Sequence, residues 1–273
     1  MTTGFATIDG ARLYYEVDGS GPPIVMIHAG VADCRQWNYE FGWLAERAKV
    51  VRYDMRGYGK SEPVAGEFTH LSDLIALLDH LGIPRPIVVL GCSMGGGIAM
   101  DYALAKPSHV RALVMVGSGP SGLELDVPPL PKFSAVEKAF VAGDLDLACE
   151  LETQIWFDGV GRTPAQVDQA MRRLAYDMNR TVLAHEAQHL GKRRKDAETP
   201  AARRLSDVRV PVLVVVGEHD IPYIHAAADY MLERLPTATR ADIADAAHLP
   251  NMDHPEEFRR VLTMFLNRNT AGS

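Results

Sequence analysis

Cysteine is scarce in this chain. There are three in 273 residues, Cys34, Cys92 and Cys149, far apart and odd in number. That pattern excludes a zinc site built from paired cysteines and a disulfide framework. It points to a reducing compartment, the cytoplasm, and leaves Cys92 reading as a small buried filler. Long apolar runs are also missing: none approaches the roughly 20 residues that span a bilayer. The opening MTTGFATIDG has neither the basic region nor the apolar stretch of a secretion signal. An excess of positive charge is absent too. Lys and Arg number 28 against 35 Asp and Glu, a formal net charge of -7, which argues against nucleic acid or an anionic membrane as partner. There is no internal repeat, and no low-complexity tail beyond a short polar C-terminus. No metal or organic cofactor is implied, and oligomeric state is not legible. The expected partner is a small-molecule substrate.

What remains, 47% apolar and 23% charged residues, is a globular mix long enough for one large domain or a core plus an insertion. Short apolar runs alternate with helical patterns, which predicts an α/β fold. Phe5 to Ile8 and Arg12 to Val17 read as strands joined by a turn at Asp9-Gly10. Further strands are expected at Ile24 to His28, Val50 to Asp54, Pro86 to Leu90, Arg111 to Val116 and Val212 to Val216, with a weaker one at Arg240 to Ile243. Leu71 to Leu81 has apolar residues at helical spacing and a closing Gly82. A last helix is expected from about Pro255 to Leu266.

The rhythm breaks between Gly117 and Val210. A stretch rich in proline and glycine, 119 to 131, is followed by helical patterns at Ser134 to Val141, Leu145 to Phe157 and Thr163 to Leu183, with no β-like run among them. Residues 120–205 therefore read as a helical cap inserted into a core of residues 1–119 and 206–273. The basic run Lys192 to Lys195, with Arg203 and Arg204, reads as a solvated face or hinge, with anion binding the lesser reading.

Gly91-Cys92-Ser93-Met94-Gly95 is a G-x-S-x-G run between an apolar strand and a helical segment. A serine on such a turn projects its hydroxyl above the sheet edge, and the glycines permit the tight turn. The bland reading is a serine that merely caps the helix. A serine nucleophile needs a base, and the base needs an orienting group. Asp220 follows the strand Val212 to Val216, at the carboxyl edge where α/β sites assemble. His248 lies in the loop after the last strand. Adjacent His219 is a rival base, which alternation along an extended chain turns away from Asp220; Glu218 is the rival acid and is expected to point away. Singly, Asp220 could be a turn residue and His248 a loop histidine; the ordered set argues for Ser93, His248 and Asp220 as the catalytic group. Donors for a developing oxyanion are expected at the N–H of Met94, at the helix start, and at Gly30, with Ala29 next. His28 reads as structural.

With these pieces placed, the chain resembles the α/β-hydrolase superfamily, in its capped serine-hydrolase branch. The resemblance rests on His28-Ala29-Gly30 followed by Trp37, the stretch Asp54-Met-Arg56-Gly57-Tyr-Gly59-Lys-Ser61, the turn at Ser93, Gly-Glu-His-Asp220, and His248 followed by Pro250-Asn251. It implies an α/β-hydrolase fold, a mostly parallel sheet flanked by helices with a cap, and the same Ser93–His248–Asp220 triad. One departure stands out: relatives usually have His-Gly where this chain has His28-Ala29. Capped dehalogenases and epoxide hydrolases carry aspartate at the nucleophile position, so serine argues against both. Ring-cleavage C–C hydrolases usually have tryptophan after the histidine, where this chain has Leu249. The core resembles 3-oxoadipate enol-lactonase and related ester hydrolases more closely.

The resulting expectation is a serine hydrolase of a small carboxylic ester or lactone. The alternatives are C–C hydrolysis of a vinylogous diketone and a ligand-binding member that does not turn over. Trp37, Trp156, Phe157, Met178 and Tyr223 are candidates for an apolar pocket, with ordinary core packing as the competing reading. Arg35 and Arg56 could bind a substrate carboxylate, though Arg56, inside the glycine-rich stretch, reads better as holding that loop.

Overall fold

A computed structural model describes residues 1–270. Its strands are β1 (Thr2–Ile8), β2 (Ala11–Asp18), β3 (Pro23–Ile27), β4 (Lys49–Tyr53), β5 (Glu67–Phe68), β6 (Ile87–Cys92), β7 (Val110–Val116), β8 (Lys192–Arg193), β9 (Val212–Gly217) and β10 (Ala238–Ile243). Eight of them form one sheet in the order β1-β2-β4-β3-β6-β7-β9-β10. β1 and β2 pair antiparallel, as do β2 and β4; from β4 to β10 every pairing is parallel. This is an α/β-hydrolase fold. The central strands are buried on both faces, which explains why they read as continuous apolar runs rather than alternating ones.

Alternate residues of those strands feed two cores. On one face Val25, Val89, Met115 and Val214 pack under α2 (His70–His80), α3 (Met94–Ala105) and α7 (Pro222–Arg234). On the other, Met26, Leu90, Val114 and Val215 pack under α1 (Asn38–Ala45) and α9 (Pro255–Thr270), through Phe41, Leu44, Phe258 and Leu262. Between α7 and α9 lies one short helix, α8 (Pro250–Asp253).

Between β7 and β9 come α4 (Lys132–Val141), α5 (Leu145–Thr153) and α6 (Gln169–Glu186). Two expected helices are divided here. Leu145 to Phe157 is an α-helix only to Thr153, then a π turn over Gln154–Asp158 that ends at Gly159, φ 82°. Thr163 to Leu183 is interrupted at Val167, which is extended; Thr163 and Gln166 form a reciprocal capping box on one short turn, and Asp168 caps α6 through the N–H of Met171. No strand interrupts α4 to α6, as expected. After them, β8 pairs parallel with β5, in the loop that follows β4. No helix among the described residues is long and apolar enough to cross a membrane.

Candidate active site

The serine turn is built by steric necessity. Ser93 sits at φ 51°, ψ -117°, between β6 and α3, a conformation that costs a non-glycine residue energy. Three glycines let the helix close on the sheet: a Cβ on Gly91 would lie 2.2 Å from the Gly95 carbonyl oxygen, one on Gly95 would lie 2.5 Å from the carbonyl oxygens of Ile27 and His28, and one on Gly96 would lie 2.3 Å from Ser118 Oγ. The turn is pinned by the Ser93 N–H donating to Val116 O (2.8 Å) and by Ser118 Oγ donating to Ser93 O (2.7 Å). Cys92 beside it is wholly buried, and burial pushes its thiol up to about 12. It is a filler, as expected.

Asp220 and His248 meet at the same edge. Both Asp220 oxygens lie 2.9 Å from His248 Nδ1, and both side chains are almost completely buried. A third bond, Ile221 N–H to Asp220 Oδ1 at 2.7 Å, fixes the carboxylate. Gly117 follows Val116, which anchors the serine turn; a Cβ on it would stand 3.1 Å from His248 Nδ1 and 3.2 Å from Asp220 Oδ2. Cys92 Sγ contacts the His248 carbonyl at 3.7 Å. The backbone 92–93 and 116–117 thus carries Ser93 on one side and the Asp–His pair on the other. The rivals face elsewhere. His219 is bound through both ring and carbonyl to Val160, and Glu218 accepts from the Asp245 N–H.

Met94 opens α3, so its N–H has no helical carbonyl to reach. Gly30 lies beside it, with a virtual Cβ 3.7 Å from Met94 Cβ. Ala29, the next choice of donor after Gly30, does not fill that role, because its N–H is spent on Gln36 Oε1 at 2.8 Å. Neither Ala29 nor Gly30 has a positive φ. Alanine is therefore accommodated without strain where relatives usually have glycine. His28 is structural: Met55 N–H donates to its Nε2 at 3.0 Å, which leaves Nδ1–H to donate to Ala29 O at 2.8 Å. Burial holds its pKa below the ordinary value, so the ring is neutral.

The glycine-rich loop after β4 is also structural. Asp54 accepts from the N–H groups of Cys34 and Lys60, each at 2.8 Å. Arg56 forms a two-pronged pair with Asp73 at 2.7 and 2.9 Å, buried on both sides. Arg35 is paired with Asp33. Both arginines considered for a substrate carboxylate are thus committed to protein carboxylates.

The five apolar candidates separate. Trp156 packs its ring against His248, centroids 4.4 Å apart, with Phe133 behind it at 5.6 Å. Tyr223 is half-buried and donates to Leu123 O. Phe157 and Met178 are wholly buried in the same apolar cluster as Leu249. Trp37 belongs to the core: it is fully buried with its ring against Phe258 of α9, on the face opposite α3. A large apolar residue next to a site loop reads alike in either role. In the basic run, Lys192 and Arg194 pair with Glu67 on the surface, while Arg193 turns inward to Asp196 and lies against Met94 Sδ.

The sheet order, the strained serine after a parallel strand and the buried carboxylate–imidazole pair after later strands define a hydrolase of the α/β fold. The chain belongs to the family described as alpha/beta hydrolase fold, which matches residues 22–255. It is 28% identical over 250 residues to a pimeloyl-[acyl-carrier protein] methyl ester esterase of Aeromonas hydrophila, spanning 91% of this chain and 96% of that one. It is 28% identical over 269 residues to a 2-hydroxy-6-oxononadienedioate/2-hydroxy-6-oxononatrienedioate hydrolase of Dechloromonas aromatica, spanning 93% and 90% of the two chains. Among solved structures it resembles Est816, described as an N-acyl homoserine lactone degrading enzyme, with a TM-score of 0.75, 25% identity and coverage of 96% and 99%.

Proposed function

We propose that this protein is a serine hydrolase of small carboxylic esters or lactones, with Ser93 as nucleophile, His248 as base and Asp220 as its orienting partner. The observation that carries the reading is the buried Asp220–His248 pair, 2.9 Å across both oxygens, set beside a serine held at φ 51°. His248 takes the Ser93 proton as the hydroxyl attacks the carbonyl carbon. Asp220 holds the imidazole in the tautomer that presents Nε2 and stabilises the imidazolium. The N–H groups of Met94 and Gly30 receive the oxyanion. His248 then protonates the leaving alkoxide; on a lactone this oxygen stays tethered to the acyl group. Finally it activates water to release the acid and regenerate Ser93.

Residues 120–205 act as a cap in this reading, and Trp156 brings a wall of the substrate pocket onto His248. Tyr223 contributes on the core side. The three cysteines are free and buried, which fits the reducing cytoplasm. Ester and lactone chemistry is supported by the esterase and lactone-degrading relatives. C–C hydrolysis is the second reading, favoured by the similarity to the dienedioate hydrolase, which the same nucleophile and base could serve.

The test is hydrolysis of a panel of short and long acyl esters, five- and six-membered lactones and vinylogous diketones, wild type beside Ser93→Ala. A Ser93-dependent rate on esters or lactones supports the first reading, and one confined to diketones transfers the assignment to the second. Saturable binding without any product would contradict both.

A further inference from the structure

Behind the Gly30 loop lies a chain of polar side chains that the hydrolytic steps do not use. Gln36, Glu40 and Asn251 are each wholly buried. Gln36 Oε1 accepts from the Ala29 N–H at 2.8 Å, and Gln36 Nε2 donates to Asn251 Oδ1 at 3.2 Å. Asn251 Nδ2 donates to the Gln36 carbonyl at 2.8 Å and to Glu40 Oε2 at 3.2 Å. The polarity follows from one end. Ala29 can only donate, so Gln36 must turn its oxygen there and its NH2 to Asn251; Asn251 must then turn its NH2 to Glu40. Glu40 is left as an acceptor at the terminus.

This chain meets the site at two points. Ala29 adjoins the Gly30 donor, and Asn251 stands three residues after His248, on α8. We infer that Gln36, Asn251 and Glu40 are positioning residues that lock the oxyanion loop to the histidine loop. The inference rests on the roles proposed above for Ser93, His248 and Gly30. Loop-to-loop registration of this kind matters because a displacement of about 1 Å at a reacting group can cost on the order of 100-fold in rate.

Glu40 serves the chain in its protonated form. Its surroundings offer no ion pair among the described residues. Arg52 of β4 is committed to Glu16 at 2.6 Å, and Arg259 of α9 to the Tyr39 carbonyl and to Glu256. Asn251 is the one side chain that bonds it, from α8, and Oε1 has no partner. Burial accordingly pushes the carboxyl up to about 8. Ionisation would set an uncompensated buried charge at the end of the chain and draw Arg259 or water toward it, shifting Glu40 and with it the Asn251 amide that is bonded to Gln36.

The test combines NMR with kinetics on the full chain. In the wild type the Ala29 backbone amide resonance is expected to titrate with a step near pH 8, and Glu40→Gln removes that step while keeping an acceptor for Asn251. With p-nitrophenyl acetate as probe, corrected for spontaneous hydrolysis, Gln36→Leu lowers kcat ~10- to 100-fold and leaves KM within about threefold. Glu40→Gln retains the rate at pH 7 and moves the alkaline decline of kcat upward. An Ala29 amide that ignores pH between 7 and 9 overturns the inference. So does an alkaline limb that Glu40→Gln leaves in place, or a Gln36→Leu effect confined to KM. If Gln36→Leu does not fold, Gln36→Met keeps the volume and removes the same two bonds. The Ala29 titration needs no turnover, so it separates failure of this inference from failure of the hydrolase reading.

Discussion

Asp220 grips His248 with both carboxylate oxygens, each 2.9 Å from Nδ1, in a site almost closed to solvent. That contact fixes which ring nitrogen carries the proton. Asp220→Asn preserves the shape and can present an N–H to Nδ1, selecting the wrong tautomer. Steady-state kinetics should give a fall in kcat of about 10⁴-fold with a cooperative unfolding transition retained. A loss below tenfold would show that Asp220 does not orient the base.

Trp156, in the segment between β7 and β9, covers His248, with centroids 4.4 Å apart. Truncating it to alanine opens space where an acyl chain would lie. The ratio of kcat/KM for a long over a short acyl ester should rise by about tenfold, the discrimination one or two methylenes provide in an apolar pocket. An unchanged ratio would place the acyl group elsewhere.

Gly95 and Gly42 should respond in opposite senses to alanine. A Cβ at Gly95 meets two backbone oxygens at 2.5 Å, while one at Gly42, inside α1, meets nothing within 4 Å. Urea unfolding should show Gly95→Ala destabilised by about 3 kcal/mol or more and Gly42→Ala stabilised by about 0.5–1 kcal/mol. Equal effects would contradict the close approach of helix and sheet.

Glu40 makes stability depend on pH. Its folded pKa of about 8 lies above the ordinary 4.5, so between those values the native state holds a proton that the unfolded state has released. Stability from this group is full below 4.5 and declines by about 1.4 kcal/mol per pH unit as pH rises toward 8. Between pH 7 and 8 His28 and His70, which burial lowers in the fold, add only a small opposite slope as the unfolded state gives up its last histidine protons, and they add it equally in Glu40→Gln. Unfolding free energies measured across that window should therefore fall in the wild type and stay flatter in Glu40→Gln. Parallel slopes would mean that Glu40 is ionised in the native protein.

The fold was largely legible because its strands are short apolar runs that nothing else in the chain imitates: Ile87–Cys92 and Val212–Gly217 are buried along their whole length. Helices with weak periodicity were not. α1 carries Gly42 and three aromatics, and α7 has three successive alanines between His225 and Asp229, so neither presents a clean stripe. The two-residue pairing of β5 with β8 joins residues more than 120 positions apart and has no local signature. Within the site, Ser93, Asp220 and His248 stand out because each follows a strand in order. The chain from Ala29 to Glu40 does not, since Gln36, Glu40 and Asn251 look like surface residues until the fold buries them. The one available hint was Asn251 directly after His248-Leu-Pro. Trp37 illustrates the reverse error, a core residue that resembles a pocket wall.

The central claim is that Ser93 is the nucleophile, and covalent labelling tests it most directly. A fluorophosphonate should modify the native protein at one mole per mole, with the added mass on the peptide containing Ser93, and labelling should vanish in Ser93→Ala and slow sharply in His248→Ala. Stoichiometric modification at another residue, or no modification of a protein that still hydrolyses esters, would contradict the account.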